Sequence, residues 1–308
     1  MKGVILVENS FVHPYMPNSV PENKKAMLDE LGINSVEDIY KSIIPDELLY
    51  KERLDIPEPI RSEYELKRHV MGILNRDITT EEYTSFLGAG CYKHQVPAIC
   101  DEINSRGEFL TAYCGDTYSD HGKMQAIFEY TSMMGELLDT DVVSYTTYDG
   151  GQAVASSLRM AVRAVREKGM AGKVILVPKT MNPEIYSQVV QYCRNVAEVR
   201  KIAYEPETGL MDLEELKEQL AKKNVAAVFF ENPTYLGNFE TRGEEIAKLA
   251  HDAGAYCVVQ TEVAALGIME SPVNQGADIV CGDIQPLGMH IQFGGGQAGF
   301  IACNQNMD

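Results

Sequence analysis

The order of apolar and polar positions separates the chain into a helical beginning and a longer stretch in which strands and helices alternate. Residues 21–31 predict a helix, because proline stands in its first turn and glycine directly follows its end. A short helix is predicted after Ser35, and residues 62–75 place apolar side chains at helical spacing. Between these two helices, Pro57 and Pro59 predict an extended connector.

From residue 123 onward, helical patterns and short apolar runs follow one another. Predicted helices cover residues 123–138 and 150–168 and begin again near Pro183, Asp212 and Arg242. Predicted strands are VILVP, residues 197–202, VAAVFF, YCVVQ, DIVCG and GFIAC. Alternating strands and helices form βαβ units around a mostly parallel sheet. We therefore expect an α/β fold, with a helical segment over residues 1–85 and one large domain over residues 86–308.

The charge of the chain limits its partners. The formal net charge is −18, from 45 acidic against 27 basic residues. Nucleic acid and anionic membrane surfaces would repel such a chain, so the expected partners are small molecules or proteins. The start, MKGVILVENSFV, lacks the pattern of a secretory signal. No apolar run is as long as a membrane helix, which needs about 20 residues. We therefore expect a cytoplasmic protein.

The cysteines predict neither a disulfide framework nor a metal site. They are odd in number and form no CxxC pair, and they stand at Cys91, Cys100, Cys114, Cys193, Cys257, Cys281 and Cys303. This usage is typical of a reduced chain. No group of histidine, cysteine and carboxylate residues has the spacing of a metal site. Cys91 and Cys114 either meet as a redox pair or fill apolar space.

Residues 86–122 are the candidate functional stretch. The sequence FLGAGCYKHQVPAICDEINSRGEFLTAYCGDTYSDHG combines glycines, tyrosines, histidines and cysteines more densely than the rest of the chain. His94 and His121 either transfer protons near neutral pH or serve as ordinary hydrogen-bonding residues.

The alternating pattern resembles the large domain of fold-type-I pyridoxal 5'-phosphate (PLP) enzymes. Gly150 and Gly151 open a helix where that fold would bind a phosphate through free N–H groups. The alternative is a flexible helix start without a ligand. The lysine of such enzymes should follow the strand DIVCG, but the last lysine is Lys248, and Gln285 stands near the expected position.

The acid that would hold the pyridine nitrogen is also missing from its expected place. The end of the strand YCVVQ continues as Gln260, Thr261 and Glu262, and Glu262 is more simply explained as a capping or solvent-facing residue. The chain therefore lacks a Schiff-base lysine and has no catalytic residue for covalent PLP chemistry. We expect it to be inactive alone.

Several longer strings resemble one family. They are KKAMLDELG, SIIPDELLYKERLDIPEP, FLGAGCYKHQVPAICDEINSRGEFLTAY, MQAIFEY, TYDGG, GADIVCGDIQPLG and FGGGQAGF. Together they resemble the glycine dehydrogenase (decarboxylating) family, the P-protein of the glycine cleavage system, in its subunit 1. The resemblance extends over nearly the whole chain.

The resemblance implies a subunit that completes the active site of a partner, glycine dehydrogenase subunit 2. The partner would hold PLP covalently, glycine would lose CO2, and the aminomethyl remainder would pass to lipoylated H-protein. By the matching motifs, this chain would supply a wall of the shared site from Gly88, Gly90, Cys91, Tyr92, His94, Tyr113 and Cys114. His290 would lie near the partner's cofactor.

Two departures from the family pattern leave an alternative open. Where the family continues as YTPYQPEISQG, this chain reads YCGDTYSDHG, without the prolines or the glutamate. The chain also ends at Asp308, whereas the family continues through a C-terminal small domain. The chain is either a fragment or a reduced paralogue. The alternative function is that of a non-catalytic or repurposed paralogue, which acts as a structural partner or on another amino acid.

Overall fold

The computed structural model describes residues 12–50, 52, 54–86, 92–109, 121–170, 172–292 and 296–305. The chain divides into one unit over Met1–Asp77 and a second unit over Ile78–Asp308. The domain boundary expected from the sequence, after residue 85, lies slightly further along the chain.

The N-terminal unit consists of short helices in its described part. These are α1 (Pro21–Leu31), α2 (Glu37–Lys41) and α3 (Glu63–Leu74). Gly32 ends α1 in the left-handed region at φ 67°, and the Ser62 hydroxyl accepts a hydrogen bond from Glu65 N at 3.3 Å to start α3. No residue of the three helices is buried. The apolar residues of α3 are exposed, among them Tyr64 (70%) and Ile73 (50%).

The second unit contains the remaining described α-helices and strands. In chain order they are α4 (Ala98–Asn104), α5 (His121–Leu138), β1 (Val142–Val143), α6 (Gly150–Glu167), β2 (Val174–Pro178), α7 (Pro183–Cys193), β3 (Glu198–Ile202), α8 (Leu213–Leu220), β4 (Val225–Asn232), α9 (Gly243–Asp252), β5 (Tyr256–Thr261), β6 (Ile279–Asp283) and β7 (Gly299–Cys303). This sequence of elements confirms the predicted α/β fold.

The strands of this unit form a seven-stranded sheet in the order β1-β7-β6-β5-β4-β2-β3. Strands β2 to β6 pair in parallel. Strand β7 is antiparallel to β6, and β1 is antiparallel to β7. The sheet is therefore mostly parallel, as the alternating pattern predicts, and the parallel strands all end at one edge of the sheet.

Hydrophobic cores cover both faces of the sheet. One core joins the sheet to α5, α8 and α9, and the other joins it to α6 and α7. Successive residues of β4 serve opposite faces, since Phe230 belongs to the first core and Phe229 to the second. Helix α6 has more buried residues than the other described helices, and its Leu158 is fully buried. This packing fixes the start of α6 against the ends of the strands.

Two elements were not predicted from the sequence. Helix α4 follows Pro97 within the glycine-rich candidate stretch and is only seven residues long, which is too short for a clear apolar period. Strand β1 has two residues and depends on pairing with β7. Within the described part of the chain, no helix has both the length and the apolar character that crossing a bilayer requires.

Candidate functional site

A cavity of about 700 Å³ lies where the parallel strands end and α6 begins. Its wall includes Glu231 at the end of β4, Gln260 and Thr261 at the end of β5, and Asp283 at the end of β6. Ligands of open α/β sheets bind at this edge, in cavities of about this size. We call this space the edge cavity.

Two carboxylates occupy the start of α6. Asp149 is the N-cap residue, and its Oδ1 accepts a hydrogen bond from Gln152 N at 2.5 Å. Asp283 reaches the same place from β6, and its Oδ2 accepts from Gly150 N at 3.0 Å. These bonds satisfy N–H groups that a helix start would otherwise offer to an external anion. The helix dipole is likewise offset by charges of the chain itself.

Close packing explains the pair of glycines at this helix start. A Cβ atom on Gly150 would lie 3.1 Å from Asp283 Cβ and 3.3 Å from the Gly282 carbonyl carbon. A Cβ atom on Gly151 would lie 2.7 Å from the Gln188 amide. The glycines therefore let α6 approach β6 and α7, whether or not a phosphate is bound.

Gln285 lies after β6, where the sequence predicts the lysine of catalytic relatives. Its side chain is buried, with 2% exposed, and its Nε2 donates to Tyr92 O at 3.1 Å and to Met289 O at 2.8 Å. Asp283 Oδ1 accepts from Gln285 N at 2.7 Å. The glutamine is thus a structural link that holds the backbone at Tyr92 beside the edge cavity. No lysine is among the described residues that line this cavity.

Glu231 is the most deeply buried acid of the edge cavity. It is 6% exposed, and its Oε1 and Oε2 lie 3.1 and 3.2 Å from Asn182 N, which donates to them. Burial raises the pKa of Glu231 to about 7, against the lowering effect of the N–H groups of Asn182 and Tyr235. Glu231 was not predicted as a site residue, although a glutamate directly after the apolar run VAAVFF indicates a polar sheet edge.

Glu262 and Asp283 form an acidic corner with Asp149. Glu262 Oε1 accepts from Ala264 N at 3.3 Å, so it caps the following turn, as expected from the sequence. Burial raises the pKa of Glu262 and of Asp283. The charge of Asp283 further raises the pKa of Glu262, and the charge of Asp149 further raises that of Asp283. These acids are therefore close enough to repel one another.

The histidines differ in their surroundings. His94 lines the edge cavity, burial lowers its pKa, and its buried Nε2 has no hydrogen-bond partner among the described residues. His290 Nε2 lies 3.0 Å from Asp101 Oδ1 on α4. His121 begins α5, and its side chain lies outside the described part. Only His94 of the three is thus a described part of the cavity wall.

Some of the expected site residues come together at the edge cavity. Tyr92, His94, Gly150, Gly151 and Gln285 all line it. The other expected residues, namely Gly88, Gly90, Cys91, Tyr113 and Cys114, lie outside the described residues. For these residues the expectation from the sequence stays a prediction.

The cysteines and acids form no metal site in the part of the chain that the structure describes. Cys100, Cys193, Cys257, Cys281 and Cys303 are free thiols, and burial raises the pKa of Cys193 to about 11 and that of Cys281 to about 12. Such thiols are poorly reactive. Cys91 and Cys114, for which the sequence leaves a redox pair and the filling of apolar space as alternatives, lie outside the described residues.

The described residues do not fit a PLP molecule bound covalently to this chain. A covalent link needs a lysine, and none is among the described residues that line the edge cavity. A phosphate at α6 would meet the carboxylates of Asp149 and Asp283 at the N–H groups that should hold it. The end of β5 offers the neutral amide of Gln260 in place of an acid for a pyridine nitrogen.

The architecture defines the class of protein before its family. The mostly parallel sheet with helices on both faces matches the fold of an enzyme that was solved with PLP. The structure of Oryza sativa TDC with PLP and tryptamine matches 95% of this chain and 68% of that one, with a TM-score of 0.58 and 14% identity, which supports the fold alone.

The family follows from closer relatives. The glycine cleavage system P-protein family matches residues 13–308, and the chain belongs to this family. A crystal structure of glycine decarboxylase (P-protein) of the glycine cleavage system, in inhibitor-bound form, is 31% identical, with a TM-score of 0.78 over 96% of this chain and 63% of that one. The resemblance drawn from the motifs is confirmed.

Two relatives agree on the type of subunit. The probable glycine dehydrogenase (decarboxylating) subunit 1 of Staphylothermus marinus is 35% identical over 306 residues, which cover 96% of this chain and 63% of the relative. The protein of the same description from Pyrococcus horikoshii is 38% identical over 295 residues, which cover 95% and 63%. The chain thus spans about 63% of the length of these relatives.

Proposed function

We propose that this chain is the lysine-free subunit of a PLP-dependent glycine decarboxylase. Glycine dehydrogenase subunit 2 holds PLP covalently, and lipoylated H-protein accepts the aminomethyl group after CO2 leaves glycine. The cofactor on the partner acts as the electron sink of the decarboxylation. This chain completes the site by positioning groups and excluding water, and it is inactive alone.

The observation that carries this proposal is the burial of Gln285, at the place after β6 where the sequence predicts the lysine of catalytic relatives. Gln285 uses both hydrogen atoms of its amide on the carbonyl groups of Tyr92 and Met289. A lysine at this place would have to leave those acceptors to reach a cofactor. Gln285 therefore holds the backbone at Tyr92 and Met289 in place. This structural role favours a supporting subunit over a catalytic one.

Exposed apolar side chains support a heteromeric assembly. On α5, Phe128 and Met133 are 65% and 66% exposed, and on α3 Tyr64 is 70% exposed. The described helices of the N-terminal unit have no buried residues with which to form a core. Apolar surface of this kind is stabilised when a partner covers it.

Within the shared site, Tyr92 and His94 are the described residues that this chain offers. Gln285 holds the backbone of Tyr92, which fixes the start of the segment that carries His94. His94 is half-buried, and its lowered pKa keeps the imidazole neutral near pH 7. A neutral imidazole can accept or donate a single proton or orient a polar substrate group.

Borohydride reduction tests which of the two subunits holds the cofactor covalently. Borohydride is added to this chain with PLP, to subunit 2 with PLP, and to both chains together with PLP. The mass of each chain is then measured by mass spectrometry. We expect the reduced pyridoxyl adduct on one lysine of subunit 2 alone. A stoichiometric adduct on a lysine of this chain would overturn the proposal.

The altered sequence over residues 114–121 favours one second candidate. A pair of subunits that serves another amino acid, or that has no activity, would differ from the family at this place. Such a pair would still show the adduct on subunit 2 but would not exchange labelled bicarbonate into glycine. The two candidates therefore differ in the exchange reaction.

A further inference from the structure

Three exposed arginine side chains lie on one face of α6, in the second half of the helix. Arg159, Arg163 and Arg166 are spaced by four and then three residues, which places them on the same side of a helix. They line a groove of about 480 Å³ together with Met160 of α6 and Val196, which follows α7. We call this space the arginine groove. Its described wall shares no residue with the described wall of the edge cavity.

The charge of this groove is opposite to that of the whole chain. The chain has 45 acidic against 27 basic residues, whereas the described wall of the groove has three arginines and one acid, Glu167. Glu167 Oε1 accepts a hydrogen bond from Arg163 Nε at 2.8 Å, but the two side chains are 64% and 81% exposed. An ion pair so exposed to water contributes little to stability. The carboxylate of a ligand can therefore take the place of Glu167.

Backbone carbonyl groups hold the two outer arginines at the wall of the groove. Arg159 Nη1 donates to Tyr192 O, in the last turn of α7, at 2.9 Å, and Arg166 Nη2 donates to Val196 O. Each bond uses one of the five N–H groups of a guanidinium, which leaves others to donate to the oxygen atoms of an anion. Because these side chains are already ordered, less conformational entropy is lost when a ligand binds.

The exposure of the groove favours a segment of a protein over a small anion. The Arg163 side chain is 81% exposed, whereas the pocket of a small ligand encloses most of that ligand's surface. Nucleic acid and anionic membranes are disfavoured by the net charge of −18. Met160, which is 44% exposed, adds an apolar contact that a protein segment can cover.

The spacing of the arginines indicates the form of this segment. Arg159 and Arg163 are about 6 Å apart along the helix axis, because each residue of a helix adds about 1.5 Å. An extended chain presents alternate side chains on one side about 7 Å apart. Guanidinium groups bind carboxylates strongly, through paired N–H donors. We infer that the arginine groove binds an extended acidic segment of a partner protein, with carboxylates at alternate positions.

This inference goes beyond the proposed decarboxylase function and does not depend on it. The groove belongs to this chain, and binding is measured without subunit 2, glycine or PLP. Failure of the exchange reaction would leave the arginine groove as a binding surface. Failure of peptide binding would leave the decarboxylase proposal unchanged.

Fluorescence anisotropy of a labelled short peptide, titrated with the full chain, is the direct test. The peptide alternates glutamate and serine, and its control has glutamine in place of glutamate. We expect saturable binding of the glutamate peptide at about 0.01 M salt. Binding should be about tenfold weaker at about 0.15 M salt, because the Debye length falls from about 30 Å to about 8 Å.

Three outcomes would overturn the inference. They are no binding of the glutamate peptide, equal binding of the glutamine peptide, and displacement of the labelled peptide by less inorganic pyrophosphate than unlabelled peptide. The last outcome would show that the groove is a site for small anions.

Variants of exposed side chains locate the binding surface without disturbing the fold. Arg163→Gln should weaken peptide binding by about tenfold. Glu167→Gln removes the competing carboxylate and should strengthen binding by about threefold. Arg106→Gln removes an exposed positive charge outside the described wall of the groove and should change affinity by less than about twofold. Equal weakening by Arg163→Gln and Arg106→Gln, or weaker binding by Glu167→Gln, would refute binding in the arginine groove.

Discussion

The interior of the sheet and its carboxyl edge differ sharply, although the same strands form both. In β4, Phe229 is fully buried in the core beneath α6, and Glu231, two residues later on the same side, is 6% exposed. The strands β5 and β6 repeat the change, from Val258 to Gln260 and from Cys281 to Asp283. The interior of the sheet thus stabilises the fold, whereas the burial of polar groups at the edge lowers its stability.

Function is expected at the carboxyl edge of the sheet, where polar side chains are held in place. Polar groups at the edge are positioned by backbone N–H groups, as Glu231 is by Asn182 and Asp283 is by Gly150. They are therefore fixed by the fold and do not depend on side-chain packing alone. Truncation of a core side chain should therefore lower the stability of the fold, whereas removal of a buried negative charge at the edge should raise it.

The largest effect is expected from the interior. Phe229→Ala leaves a cavity between the sheet and α6 and should lower the free energy of unfolding by about 3–5 kcal/mol. Ile73→Ala on α3, where the side chain is 50% exposed, should change it by less than about 1 kcal/mol. Urea denaturation of the purified chain measures both. Similar losses for the two variants would contradict the assignment of the core.

At the edge, Glu231→Gln should show an effect of opposite sign that depends on pH. The raised pKa of Glu231 means that its protonated form is the stable one, so its contribution is present below about pH 4.5 and is lost as the pH rises through about 7. The variant should gain up to about 3 kcal/mol relative to the native chain between pH 4.5 and pH 8.

Urea denaturation at a series of pH values measures this change. Glu184→Gln is the matched control, because Glu184 also lines the cavity but is exposed. The gain should be larger for Glu231→Gln than for this control, because only Glu231 of the two is buried. A flat profile for Glu231→Gln would show that the buried acid does not titrate in this range.

A smaller effect is expected at the start of α6. Gly150→Ala presses a methyl group against the backbone of β6 and should lower stability by about 1–3 kcal/mol. Gly151→Ala meets only the movable end of the Gln188 side chain and should cost less than about 1 kcal/mol. Thermal unfolding of the two variants compares them. A larger loss for Gly151→Ala would indicate that close packing on β6 is not the constraint.

Periodic patterns predicted the interior, but not the contacts at the edge. The strands, the helix that begins at Gly150 and the absence of a lysine near Gln285 follow from local sequence, because periodicity and helix-start signals are short-range. The bond from Gly150 N to Asp283 joins residues 133 positions apart and depends on the order of the strands. The burial of Glu231 likewise depends on where Asn182 returns to the sheet. Short elements such as β1 arise only from pairing and leave no pattern of their own.

Exchange of labelled bicarbonate into glycine is the most direct test of the proposed function. The reaction contains this chain, glycine dehydrogenase subunit 2, PLP and lipoylated H-protein, and each protein is omitted in turn. We expect label in glycine from the complete mixture and none when this chain is omitted. Label without this chain, or no label from the complete mixture in which subunit 2 holds its PLP adduct, would contradict the account.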